Sequence, residues 1–340
     1  MKILVSGSKG FIAGYVIEQL LEEGWEVVGI DNHSKYGKVE KSYDNHPNYT
    51  FHEGDAKDVD LMKQLIEGCD HFIHAAAMIR GISYVHTHAY DLIAENERIM
   101  ASGFDAALWA FKNSNLKKIT VLSSSMIFES TEKWPSEEGD EFRIPPPLST
   151  YGFQKLAVEY FAKGAREQYG LPYTIICPFN AVGIGEQRAK TDIEIESGNV
   201  KLAMSHVIPD LVQKIAKGQN PVHILGSGEQ TRHYTYAGDL AGGIVTTLTH
   251  PDATNESFNI STPIGHSVKE LTQVIWNKMK PNEELKGFIN DEPFIYDVQK
   301  RVPSVEKAKN VLGVECNTTL EEALDEVVPW VLEMMEKGKI

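Results

Sequence analysis

KILVSGSKGFIAGYVIEQLLEEGWEVVGID, residues 2–31, starts as an apolar run and breaks on Gly7 and Gly10. It continues as a helical pattern and ends a second apolar run on an acid, Asp31. A strand feeding a glycine turn and then a helix start suits an anionic ligand. Glycine allows the tight turn and lets a pyrophosphate approach the backbone. The helix N-terminus adds free N–H groups and a partial positive charge. The third small position is Ala13, beside Gly14. A carboxylate at Asp31 can accept hydrogen bonds from both ribose hydroxyls of NAD and would repel the 2′-phosphate of NADP. The competing reading of Asp31-Asn32 is an ordinary turn. Lys35 and Lys38 nearby soften the preference for NAD.

Working outward, short apolar runs alternate with helical patterns. Strands are expected at 2–7, 25–31, 49–55, 71–77, 118–125 and 173–179, with helices near 11–23, 58–67, 88–112 and 152–169. This alternation predicts an α/β protein with a Rossmann-type, doubly wound parallel sheet covered on both faces. After about residue 180 the rhythm breaks, and a smaller mixed α/β C-terminal substrate lobe is expected over the strand ends. The expected division is 1–180 plus about 223–260 for NAD, and 181–222 plus 261–340 for the substrate. Asp55, with Ala56, suits the adenine edge. Ala75, Ala76 and Ala77 are small where a dinucleotide must pass.

The chain has 340 residues, 33 basic against 48 acidic, net charge −15. That balance argues against nucleic acid or an anionic membrane as partner. Three scattered cysteines, Cys69, Cys177 and Cys316, match neither a disulfide framework nor a zinc site. No apolar run approaches the roughly 20 residues that span a bilayer, and the opening MKILVSG is too short for a signal peptide. A cytoplasmic protein is expected. His71, His74, His86 and His88 lack carboxylates or cysteines at ligand spacing, so no metal is expected.

LSTYGFQKLAVEYF, residues 148–161, puts Tyr151 and Lys155 on one face of a helix start. A phenol is a poor base at neutral pH, and a neighbouring ammonium would lower its pKa. For a lone pair of this kind an exposed helix face is the better reading. Here the pair follows a dinucleotide turn and a strand ending in Ser123, Ser124 and Ser125.

These segments, with PFNAVGIGE (178–186), HVIPDLVQK (206–214), GSGEQTRHYTYAGDLA (226–241) and RVPSVEKAKNVLG (301–313), resemble the extended short-chain dehydrogenase/reductases of the NAD-dependent epimerase/dehydratase family, which act on nucleotide-activated sugars. The resemblance implies NAD as cofactor and Ser124, Tyr151 and Lys155 as catalytic residues. Tyr151 takes the 4-hydroxyl proton, Ser124 steadies that oxygen, Lys155 holds the ribose and tunes Tyr151, and a 4-keto sugar results. It also implies cofactor contacts at Phe11, Ile12, Asn32, Asn96, Ser123 and Pro178. Substrate contacts are implied at Arg80, Ser125, Met126, Asn180, His206 and Val207, with Arg232 and Arg301 as a diphosphate clamp. The helices near 88–112 and 152–169, with Phe104, Leu108, Phe111 and Phe161, resemble the pair through which such enzymes form homodimers.

In the family's 4,6-dehydratases an Asp and a Glu follow the catalytic hydroxyl. Here Ser125 and Met126 stand there, and a thioether has no titratable proton. There is also some likeness to GDP-mannose 3,5-epimerase, in which Met126 falls on a catalytic cysteine and His206 on a lysine. Epimerisation at C4 is the expected chemistry. A C4 dehydrogenase or reductase, a dehydratase, and a non-catalytic NAD-binding sensor remain as alternatives. The segments 187–204 and 80–88 are expected to select nucleotide and sugar.

Overall fold

The computed structural model describes residues 1–79, 88–187, 195–202, 206–293 and 298–340. β1 (Lys2–Ser6), α1 (Phe11–Glu22), β2 (Glu26–Asp31), β3 (Tyr49–Glu53), α2 (Val59–Ile66) and β4 (His71–His74) come first. α3 (Ala89–Asn113), β5 (Lys118–Leu122), α4 (Thr150–Tyr169) and β6 (Tyr173–Pro178) follow, so each strand and helix expected in the first half forms. The second half contributes α5 (Val207–Ala216), α6 (Ala237–Thr249), β7 (Glu256–Ile260), α7 (Val268–Met279), α8 (Glu306–Leu312) and α9 (Leu320–Glu336).

The large sheet is parallel throughout, in the order β7-β6-β5-β4-β1-β2-β3. Strand order reverses between β1 and β4, and the C-terminal edge at such a switch point forms a crevice. Burial on both faces explains the continuous apolar strands. Ile3, Leu4 and Val5 are all buried, as are Ile175 and Ile176. α1 and α6 cover one face around Ile17, Leu20, Leu240 and Ile244. α2, α3 and α4 cover the other around Met62, Phe104 and Val158.

A third core joins α5, α7 and α9 through Leu211, Leu271 and Leu324. Strand Val222–Leu225 belongs to this lobe, pairing with Phe288–Asp291, whereas α6 and β7 join the large sheet. Two-residue strands tie the lobes: Ala181–Val182 pairs with Thr235–Tyr236. Phe104 is buried and stacks on Phe161 at 5.6 Å. Leu108 and Phe111 pack against the same core. The aromatic side chains that α4 exposes are instead Phe153, Tyr160 and Tyr169. Cys69, Cys177 and Cys316 are buried free thiols. Among the described residues no helix is long and apolar enough to cross a membrane, and no three His, Cys, Asp or Glu residues gather as metal ligands.

Candidate active site

One cleft of about 420 Å³ follows the C-terminal edge of the sheet, from Asp55 past the glycine turn to Tyr151 and Arg301. Gly7 has φ +72°, and a Cβ there would stand 2.9 Å from Ala76 Cα. Only glycine lets the turn pass so close to the end of β4. Gly10 N–H bonds to Gly7 O at 2.9 Å, and Gly10 then opens α1. Beneath the turn, His74 Nε2 lies 3.1 Å from Ile99 O and Nδ1 lies 2.7 Å from Ser6 Oγ. Burial pushes this imidazole down to about 4, so it is neutral. A carbonyl only accepts, so the proton sits on Nε2 and Ser6 donates to Nδ1. Ser6 Oγ also accepts from Ala76 N–H at 3.1 Å, fixing the alanine wall.

Asp31 ends β2 facing this turn. Its Oδ2 accepts from Lys9 N–H at 3.1 Å and Oδ1 from His33 N–H at 2.7 Å. Each oxygen keeps a lone pair for a ribose hydroxyl. Lys38 is paired with Glu53 at 2.9 Å. At the far end Asn32 donates to Asp55 at 3.3 Å, and Asp55 accepts from Lys57 N–H at 2.9 Å. The uncrowded glycine cradle, the open helix start and the paired acceptors of Asp31 fit NAD.

At the other end, Ser124 caps a short 3₁₀ turn, Ser125–Phe128. Tyr151 donates to Ser124 Oγ at 3.4 Å. Lys155 lies one turn further along α4 and donates from Nζ to Leu122 O at 2.9 Å. Burial raises Tyr151; the opposing influences are the Ser124 hydrogen bond and the Arg301 charge. Lys155 is itself pushed down to about 8 by burial, and one N–H of its ammonium goes to that carbonyl. Ser123 lines the cleft, and its Oγ donates to Glu159 Oε1 at 2.7 Å.

Around Tyr151, Pro178, Asn180, Ser125, Met126, His206 and Arg301 all line the cleft. Asn180 holds the unusual φ of +33°, and its buried Oδ1 finds no partner among the described residues. Arg232 is buried, donates to Thr231 O at 2.9 Å, and with Arg301 bears on Tyr234. His206 Nδ1 stands 2.5 Å from Glu186 Oε1, a partner the sequence reading missed.

Three expected contacts are not among the residues lining the cleft. Asn96 is buried and its amide clamps Met78, accepting from N–H at 2.7 Å and donating to O at 3.0 Å. It therefore braces the Met78 segment that lines the cleft. Val207 is partly buried against the core of the lobe, and Arg232 is set back from the lining. Arg80 lies outside the described residues, as does most of the two segments expected to select the substrate.

Residues 3–261 match the NAD dependent epimerase/dehydratase family. A UDP-glucose 4-epimerase of Halalkalibacterium halodurans is 30% identical, covering 93% of this chain and 90% of that protein. A dTDP-D-glucose 4,6-dehydratase of Mus musculus is 25% identical, covering 97% of this chain and 88% of that protein. The crystal structure of a UDP-glucose 4-epimerase from Thermotoga maritima, holding UDP-glucose, superposes with a TM-score of 0.82 at 26% identity. That comparison covers 98% of this chain and 100% of the other.

Proposed function

The chain belongs to the NAD-dependent epimerase/dehydratase family, and on that premise we propose that it interconverts the C4 epimers of a UDP-hexose through a transient 4-keto sugar. The observation that carries this reading is the Tyr151–Ser124 contact of 3.4 Å at the mouth of the dinucleotide cleft. Bound NAD supplies a hydride acceptor and donor for C4. Gly7, Gly10, Phe11, Ile12, Asp31, Asn32, Asp55, Ala56 and the Ala75–Ala77 wall would hold it. Tyr151, as the phenolate, would accept the proton of the 4-hydroxyl, becoming the neutral phenol seen to donate to Ser124, and Ser124 holds the sugar oxygen. Lys155 steadies the ribose hydroxyls from the floor. Arg301 offsets the negative charge that the Tyr151 phenolate carries before it takes the proton, as its lowering effect on the buried phenol indicates.

Met126 lines the cleft directly after Ser125, and its thioether offers no acid or base for eliminating water. This favours epimerisation over dehydration. The division into a cofactor lobe and a substrate lobe, the diphosphate role of Arg232 and Arg301, and a cytoplasmic location belong to the same proposal. So does a homodimer. Exposed Phe153 and Tyr160 on α4, with Tyr90 on α3, give it an apolar face, and light scattering tests it.

The test of function is proton NMR and mass spectrometry after incubation with UDP-glucose, UDP-N-acetylglucosamine, UDP-glucuronic acid and dTDP-glucose. A product of unchanged mass inverted at C4 supports the proposal. A product lighter by one water overturns it and moves attention to His206 and Glu186.

A further inference from the structure

α4 starts on Ser149, whose hydroxyl oxygen accepts from Gly152 N–H at 3.0 Å. The hydroxyl proton and the backbone N–H of Ser149 both leave the helix. They go to one oxygen of Glu129, at 2.7 and 3.1 Å. Glu129 directly follows the 3₁₀ turn that Ser124 caps, with its own N–H on Met126 O at 3.2 Å. A carboxylate from the Ser124 segment thus grips the residue two before Tyr151. The seat is tight. A Cβ on Gly152 would stand 2.7 Å from Met126 O and 2.9 Å from Glu129 Oε2. The first turn of α4 carries no acid, so Glu129 also supplies negative charge at the positive end of that helix. Its other oxygen is buried with no partner among the described residues. A simple helix cap needs only Ser149, which already caps through its own hydroxyl.

The geometry points to Glu129 as a positioning residue that sets the reach between Ser124 and Tyr151. This rests on the proposed C4 chemistry. Tyr151 and Ser124 sit on two chain segments joined here through Glu129 and Ser149, and their 3.4 Å separation is near the limit of a hydrogen bond. A displacement of about 1 Å at such a pair costs on the order of 100-fold in rate.

The test compares Glu129→Ala, Glu129→Gln and Ser149→Ala. Glu129→Ala is expected to lower kcat by about 10- to 100-fold, with the KM for UDP-glucose and the NAD affinity each within about threefold. Glu129→Gln keeps a carbonyl oxygen that can accept both hydrogen bonds and is expected to retain at least about a third of kcat. Ser149→Ala, which removes the 2.7 Å leg, falls between them and serves if Glu129→Ala does not fold. A Glu129→Ala protein that melts earlier yet keeps its kcat would make Glu129 a mere cap, and a Glu129→Gln as slow as Glu129→Ala would make charge, not position, its role. Either result overturns the inference. Wild-type protein that interconverts no UDP-sugar defeats the C4 proposal alone. In that case the crystal structure of Glu129→Ala decides: the Tyr151–Ser124 separation opens past hydrogen-bond reach if Glu129 positions them, and stays closed if it does not.

Discussion

Glu159→Gln should change how stability depends on pH. Glu159 lies on α4 with 1% of its surface exposed, and its Oε1 accepts from Ser123 Oγ at 2.7 Å. Burial, and then the charge of Glu141, push its carboxyl up to about 8; the Ser123 hydrogen bond and Lys163 oppose them. Glu141 is also buried and accepts from Gly139 N–H at 2.8 Å. From β6, Cys177 faces Glu159, Glu141, Glu138 and Lys155. Lys163 in turn feels Lys307 of α8 and Glu256 of β7. Near neutrality the folded protein therefore holds a proton on Glu159 that the unfolded chain releases above about 4.5. More protons on the folded state mean that stability is full below about 4.5 and falls as pH rises toward about 8. The slope approaches about 1.4 kcal/mol per pH unit, so about 5 kcal/mol is the upper bound across that window. Glutamine keeps the acceptor for Ser123 but does not titrate. Thermal melts of both proteins at pH 5.5, 7 and 8.5 measure the difference. The variant should gain on wild type by at least about 2 °C between the first and last pH, since 1 kcal/mol moves the melting point of a large domain by about 2 °C. A difference that stays constant across the series refutes a protonated Glu159.

Three further outcomes concern the cleft. Tyr151→Phe should lower kcat by about 10²- to 10⁴-fold, the usual worth of a positioned acid–base group, while NAD fluorescence titration shows affinity within about threefold. Gly7→Ala forces a side chain into φ +72° and within 2.9 Å of Ala76 Cα. NAD affinity should fall more than about tenfold, and a left-handed residue adds about 1–2 kcal/mol of instability, read as a lower melting temperature. Asp31→Asn cannot accept on both atoms from Lys9 and His33 and loses the charge facing the ribose. Calorimetry should show NAD binding weaker by roughly tenfold, the worth of one charged hydrogen bond, with NADP weakened less.

What could be read in advance, and what could not, divides by distance along the chain. The strand–turn–helix of residues 2–22 is local, and Gly7 announces both its positive φ and the close approach of Ala76. The sheet's interior strands announce themselves by unbroken apolar runs. β7, ESFNI, does not, because a short polar-tinged segment becomes a strand only by pairing with β6 some eighty residues earlier. The same limit governs the site. Spacing put Tyr151 and Lys155 on one helix face, but not where Nζ points; Leu122 O, from another strand, decides that. Asn96 had the right chemistry for a ligand, and only the fold shows that Met78 takes one donor and one acceptor of its amide. Glu129 and Ser149 stand 20 apart in sequence with no motif between them, and Glu186 meets His206 in the same way. Residue type and local spacing therefore identify which groups can react. The partners that aim them come from distant segments, so the residues that orient Ser124 and Tyr151 emerge only once the helix of one segment is seated on the turn of another.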